Sequence, residues 1–174
     1  MLILVLGGTR SGKSAAAESL VQRLPAPVTY VATLVPSDSD IGMSERIDLH
    51  RSRRPSTWTT IEATEQLAEQ LRDLPGTVLL DSLGPWVALH QPDDNALTTL
   101  VDALASRIGD TVVVSDEVGL SVHPASDAGR AFQDAIGKAN ERLADVADQT
   151  MLVVAGRMLL TAPVDAEAII GGGS

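Results

Sequence analysis

An α/β domain, with one mostly parallel sheet and helices on both of its faces, is what this sequence predicts. Three observations carry that expectation. Short apolar runs rich in Val, Leu and Ile recur at 2–6, 28–32, 77–81, 111–115 and 150–155, and such continuous runs read as strands buried on both faces. Stretches of helical period lie between them, so strands alternate with helices. The first run, Leu2-Ile3-Leu4-Val5-Leu6, passes directly into Gly7-Gly8-Thr9-Arg10-Ser11-Gly12-Lys13-Ser14, a glycine-rich turn suited to join a strand to a helix.

Taken in order, a helix is expected over 13–24, stopped by Pro25 and Pro27. A second strand follows at 28–32. Residues 36–42 are polar and read as an exposed loop. Residues 43–54 have helical character, with Met43, Ile47 and His50 on one face, and Pro55 stops them. A short strand is expected at 58–61. A helix at 64–74 carries Leu67, Leu71 and Leu74 on one side before the Pro75-Gly76 turn. The strand at 77–81 ends in a carboxylate. Helices are expected at 83–90 and 96–108, with a loop at 92–95. The strand at 111–115 leads to Asp116-Glu117. A long helix at 126–146 should bury Phe132, Ile136 and Leu143, and 150–155 reads as the last strand. From about residue 161 to the closing Gly-Gly-Gly-Ser the tail is expected to be flexible. With no internal repeat and no linker, residues 1–174 read as one nucleotide-binding domain.

Composition narrows the function. The chain is 44% hydrophobic but only 2% aromatic, so its core must be built from aliphatic residues. A net charge of −10 argues against nucleic acid and against an anionic membrane as partners. Cysteine is absent, which excludes disulfides, thiolate nucleophiles and thiolate metal sites. The apolar start is too short for a signal peptide and no run reaches the length of a membrane span, so the expected location is the cytoplasm.

The turn at 7–14 matches the Gly-x-x-x-x-Gly-Lys-Ser/Thr phosphate loop in its proper setting. Glycines let the backbone curl so that successive N–H groups point at an anion, and the following helix adds its positive end. Lys13 is placed to charge-pair with β- and γ-phosphates, and the Ser14 hydroxyl to ligate Mg²⁺. The expected fold is therefore that of a P-loop NTPase with a RecA-like sheet. Asp81, preceded by four apolar residues, is the candidate second metal carboxylate. Taken alone, a strand-end Asp serves as readily as a cap or turn residue. Asp116 and Glu117 end the next strand and are candidate substrate contacts.

A second dense cluster holds Arg46, His50, Arg51, Arg53 and Arg54, four arginines within nine residues of an acidic chain. Arginine binds phosphate oxygens bidentately, and a neutral imidazole among such groups is able to attack phosphorus. On composition alone, a solvated helix face with one passing histidine is the commoner outcome. His90 and His123 read as structural or solvent-facing, and no His pair has the spacing of a zinc site.

These motifs, in this order, resemble the bifunctional adenosylcobinamide kinase / adenosylcobinamide-phosphate guanylyltransferase family over nearly the whole chain. The loop at 7–14 and Tyr30-Val31-Ala32-Thr33 resemble its first two motifs. Arg46-Ile47, His50, Arg51 and Arg54-Pro55 are similar to its Arg-Ile-x-x-His-Arg/Lys-x-x-Arg-Pro signature. Ser115-Asp116-Glu117-Val118-Gly119 resembles Ser/Thr-Asn-Glu-Val-Gly, with Asp116 standing where the family has Asn. Asn140-Glu141-Arg142-Leu143-Ala144 and Leu152-Val153-Val154-Ala155-Gly156 complete the match, and the chain departs from the pattern after Gly156.

The resemblance implies two reactions. A nucleoside triphosphate, ATP or GTP, phosphorylates adenosylcobinamide. His50 then takes GMP from GTP covalently and passes it to adenosylcobinamide phosphate. It also implies nucleotide contacts from Gly7, Gly8, Thr9, Arg10, Ser11, Gly12, Lys13, Ser14, Val31, Ala32, Thr33, Arg51, Ser52, Arg53, Arg54, Glu62 and Asp81, catalytic roles for His50 and Lys13, and a homotrimer. Two other readings use the same loop: a monofunctional small-molecule kinase with His50 incidental, and a non-enzymatic nucleotide switch. The switch lacks an Asn-Lys-x-Asp guanine-reading motif.

Overall fold

The computed structural model describes residues 1–34, 54–120 and 124–164. Strand β1 (Leu2–Gly7) leads through the glycine-rich turn into helix α1 (Lys13–Val21), followed by β2 (Val28–Ala32) and β3 (Thr59–Glu62). Then come α2 (Leu67–Arg72), β4 (Thr77–Asp81), α3 (Leu83–His90) and α4 (Asp94–Ser106). The remaining elements are β5 (Thr111–Asp116), α5 (Asp127–Val146), β6 (Gln149–Val154) and β7 (Arg157–Thr161).

The strands form one sheet in the order β3-β2-β4-β5-β1-β6-β7. All pairings are parallel except β6 with β7. The sheet is mostly parallel, as expected, and helices cover both faces. The strand residues alternate between two cores. Leu2, Leu4, Val31, Val78, Leu80 and Val113 face α2, α3, α4 and α5. Ile3, Val5, Tyr30, Leu79, Val112 and Val114 face α1. Because both faces are buried, the strands read as unbroken apolar runs rather than as alternating ones.

Caps and turns set the helix ends. Asp93 accepts a hydrogen bond from the Ala96 amide (2.8 Å) at the start of α4, and Ser126 one from Gly129 (3.1 Å) at the start of α5. The helix expected over 13–24 ends its α-helical part at Val21. Its last turn tightens, with Arg23 bonding to Leu20 and Leu24 to Val21.

Three expectations need correction. The strand at 149–154 is not the last: β7 returns antiparallel to it. Phe132 is half-buried at the margin of the core rather than buried within it. The helix placed at 64–74 is shorter, Leu67–Arg72. The loop placed at 36–42, nearly all of the helix placed at 43–54, His123 and the tail beyond 164 lie outside the described residues.

The topology decides where chemistry occurs. Parallel strands put their carboxyl ends on one edge, so polar residues that terminate them collect there. Strand β5 lies between β1 and β4, with Gly7 opposite Asp116 and Val114 opposite Asp81. The glycine-rich turn, Asp116 and Asp81 thus come side by side along that edge.

Candidate nucleotide-binding site

The turn at 7–14 is held by its own backbone. The Ser11 amide bonds to the Gly8 carbonyl (3.2 Å), and the Ala16 amide to Gly12 (3.0 Å). Arg10 and Gly12 have left-handed φ values of 57° and 94°. Gly12, the residue preceding α1, suits that conformation because it has no Cβ. A Cβ on Gly7 would lie 2.4 Å from Ser11 Oγ and 2.8 Å from the Val153 carbonyl, so the end of β1 has no room for a side chain. The Gly156 amide, in the β6–β7 turn, bonds to the Ser11 carbonyl (2.8 Å) and buttresses the loop from outside. Gly12, just before α1, has no side chain to cap it; the Ser11 hydroxyl accepts from the Lys13 amide (3.3 Å), and the helix start presents its positive end to an anion.

Lys13 Nζ reaches back over the loop to the Gly8 carbonyl (3.3 Å) and forms an ion pair with Asp116 Oδ1 (2.8 Å). Ser14 Oγ donates to Asp81 Oδ1 (2.9 Å), and the Tyr30 hydroxyl donates to Asp81 Oδ2 (2.8 Å). Ser14 and Asp81 therefore present two hard oxygens beside the loop. This fits a magnesium ion, which takes one or two protein oxygens and fills its remaining positions with phosphate and water. Among the described residues no cluster of three or more His, Cys, Asp or Glu side chains could hold a metal by itself.

The Arg54 guanidinium stacks 3.2 Å over the Tyr30 ring. Burial, and then the negative charge of Asp81, push the Tyr30 pKa above its ordinary value of 10.0. The phenol is thus a proton donor to Asp81 at every physiological pH. A raised pKa contributes stability that is complete below about pH 10 and lost as pH rises through the folded value. Tyr30→Phe is expected to cost about 2 kcal/mol at pH 8, the net worth of a hydrogen bond to a charged group. The gap to wild type should narrow by about 0.8 kcal/mol at pH 10.5 in urea titrations.

Of the residues expected from sequence, Gly7 to Ser14, Asp81 and Asp116 come together. Thr33 is buried and accepts the Ser82 amide (3.0 Å), so it shapes the turn after β4. Val31 and Ala32 supply strand backbone beside it. Glu62 shares the same edge but is exposed on the outermost strand, four strands from β1. Glu117 folds onto its own turn, accepting from the amides of Gly119 (2.6 Å) and Leu120 (3.3 Å). His50, Arg51, Ser52 and Arg53 lie outside the described residues. His90 stands against Trp86, with ring centroids 5.6 Å apart, away from the loop.

Sequence reasoning missed the part played by Tyr30, Ser82 and Gly84. Tyr30 is the chain's one tyrosine, set inside a buried strand, and its hydroxyl had to find a partner there. Ser82 Oγ donates to Asp116 Oδ2 (3.2 Å). A Cβ on Gly84 would stand 2.2 Å from that same oxygen.

The family described as cobinamide kinase / cobinamide phosphate guanyltransferase matches residues 3–160. The bifunctional adenosylcobalamin biosynthesis protein CobP of Pseudomonas aeruginosa is 34% identical over 162 residues, covering 88% of this chain and 92% of the relative. CobU of Salmonella typhimurium is 34% identical over 178 residues, covering 90% and 97%. Among solved structures, a protein of Pyrococcus horikoshii OT3 superposes with a TM-score of 0.52 at 11% identity, covering 95% of this chain and 88% of that one. An ATPase of a type III secretion system gives 0.50 at 12%, covering 98% and 53%. These two likenesses bear on the fold alone. With that model matched over most of its length and with these relatives, the chain belongs to the cobinamide kinase / cobinamide phosphate guanyltransferase family.

Proposed function

We propose that this protein is the bifunctional enzyme of that family, one nucleotide-binding domain acting in cobalamin biosynthesis. It phosphorylates adenosylcobinamide with ATP or GTP and then transfers GMP from GTP to adenosylcobinamide phosphate. The observation that carries the reading is the assembled loop, with Lys13 over its mouth and the Ser14–Asp81 pair beside it, in a chain that matches the family along its length.

In the first reaction the loop amides and Lys13 hold the triphosphate, and Lys13 offsets charge that develops between the β- and γ-phosphates. Ser14 and Asp81 would hold Mg²⁺, which would supply further neutralisation of phosphate charge. In the second, an imidazole nitrogen of His50 bonds to the α-phosphorus of GTP, and the bond to the β-phosphate breaks with release of pyrophosphate. The phosphate oxygen of the phosphorylated corrinoid then displaces GMP from His50. Arg51, Arg53 and Arg54 stabilise phosphate charge during both displacements. The family resemblance supports a homotrimer. Among the described residues no helix is long and apolar enough to cross a membrane, and the reading places the enzyme in the cytoplasm.

Two labels test the proposal. γ-Labelled ATP or GTP with adenosylcobinamide should yield a labelled corrinoid phosphate. α-Labelled GTP alone should leave an acid-labile label on the protein, which added corrinoid phosphate then removes. A corrinoid phosphate without protein label would leave only a kinase; turnover of neither substrate would leave a nucleotide switch.

A further inference from the structure

We propose that Tyr30 is a positioning residue for both reactions: its hydroxyl orients Asp81 toward the metal place beside Ser14, and its ring seats Arg54, the last arginine of the cluster that contains His50. The assignment rests on the bifunctional reading above and adds to it a residue that acts through its neighbours.

Strand period explains how Tyr30 reaches the carboxylate. Along β4, Leu79 and Asp81 share one face, and Leu79 lies in the core under α1. Ser14 enters that face from the first turn of α1, and Tyr30 from β2, the strand paired with β4. Asp81 is therefore held from two sides. Ser14 Oγ donates to its Oδ1 (2.9 Å) and the Tyr30 hydroxyl to its Oδ2 (2.8 Å), and both Tyr30 and Asp81 are buried. A serine hydroxyl that donates its hydrogen to a carboxylate still has lone pairs for a cation, so the Ser14 contact is compatible with a bound metal. The Tyr30 contact fixes the rotation of the carboxylate about its terminal bond, which is otherwise broad. A hydrogen bond made to a metal ligand from behind is worth about 10–100-fold in metal affinity. Tyr30 is the chain's one tyrosine, so no other phenol can take its place.

The ring serves the second reaction. The Arg54 guanidinium lies 3.2 Å over its centroid, where the π-face attracts the cation and the planar group stacks. Arg54 Nε is buried without a hydrogen-bond partner among the described residues, so that part of the group rests on the ring rather than on a polar contact. Arg54 is four residues from His50 in the chain, and a seated Arg54 limits how far the proposed nucleophile can move. One side chain thus joins the carboxylate used in phosphoryl transfer to the segment used in GMP transfer.

Two substitutions separate the two duties. Tyr30→Phe keeps the ring under Arg54 and removes the hydroxyl. With a non-hydrolysable GTP analogue bound, Mn²⁺ titration followed by electron paramagnetic resonance should show metal affinity weakened about tenfold or more. Affinity for the analogue in EDTA should stay within about twofold of wild type, and excess Mg²⁺ should return the kinase rate to within about threefold. Metal would not rescue a merely loosened fold. Tyr30→Met, or Tyr30→Leu where that protein does not fold, removes ring and hydroxyl together. At saturating Mg²⁺ its labelling by α-labelled GTP should be about tenfold slower than that of Tyr30→Phe, the loss expected for a desolvated cation–π contact. A Mn²⁺ affinity for Tyr30→Phe within about twofold of wild type overturns the hydroxyl's duty. Equal labelling rates in Tyr30→Phe and the aliphatic variant overturn the ring's duty. A wild-type protein that takes up Mn²⁺ with the analogue but phosphorylates no acceptor ends the kinase reading and leaves the placement of Asp81 standing. A wild-type protein that takes no label ends the transferase reading, and the ring's duty with it.

Discussion

Lys13→Met is expected to lower both phosphorylation and GMP transfer by about 10³-fold, the scale on which charged and preorganised phosphate contacts contribute to such reactions. Methionine keeps much of the length and packing of the side chain and removes only the ammonium. The Lys13 side chain is 12% exposed, and its ammonium contacts the Gly8 carbonyl and Asp116. In its absence the loop keeps its backbone hydrogen bonds, so circular dichroism and thermal melting should still report a folded protein. The Asp116 carboxylate, however, then stands beside the loop without its lysine partner, and anion affinity falls with the lost charge. His50→Ala provides the contrast. Under the proposed mechanism it abolishes the acid-labile label from α-labelled GTP and leaves corrinoid phosphorylation within about threefold of wild type. A Lys13→Met protein that retains either activity within tenfold would show that the loop amides alone hold the triphosphate.

Much of this arrangement was legible in the sequence because it is local. Strands 28–32 and 77–81 and the helix at 83–90 were bounded correctly, since each is a dense apolar run closed by proline, glycine or a carboxylate. The phosphate loop is legible for the same reason: glycine spacing, lysine and the preceding strand all lie within fourteen residues. Strand β7 was not legible. Its hairpin turns through Ala155 and Gly156 with φ values of 49° and 70°, where hairpin sequences favour Asn-Gly or Asp-Gly. An alanine gives no sign of a left-handed turn. All five residues of β7 are exposed, so no burial pattern marks the strand either.

The partners of each carboxylate were hidden for a different reason. That Asp81 meets Ser14 and Tyr30, and Asp116 meets Lys13 and Ser82, depends on strand order. The sequence suggests parallel strands but does not say that β5 inserts between β1 and β4. Once it does, three strand ends converge, and residues up to 103 positions apart in the chain become neighbours. A motif predicts which residue types a site contains; topology decides which of them touch.

Arg107→Leu is expected to be the most destabilising of these single changes, lowering the unfolding free energy by about 3–5 kcal/mol. Arg107 follows α4 and is buried at 9% exposure. Its guanidinium bonds to the carbonyls of Leu71 (3.0 Å), Leu74 (2.7 Å), Gly76 (3.0 Å) and Asp110 (3.3 Å), and to the Thr111 hydroxyl (2.6 Å). One side chain thus ties the end of α2 to the entries of β4 and β5. Burial lowers its pKa from the ordinary value, and the dense acceptor set offsets that desolvation. Leucine would leave four carbonyls with a lost donor in a site too apolar to hydrate freely. A loss of this size corresponds to a melting temperature lower by roughly 10 °C for a chain of this length. Arg107→Lys should fall between the two, because an ammonium cannot reproduce the planar fork. The damage lies at the amino-terminal edge of the sheet, opposite the phosphate loop. Below its melting range the folded variant should therefore bind and turn over nucleotide at the wild-type rate. A melting temperature within 2 °C of wild type would mean that water satisfies those carbonyls as well as arginine does. A kinase rate that falls in step with stability at 15 °C would mean that the two edges of the sheet are coupled.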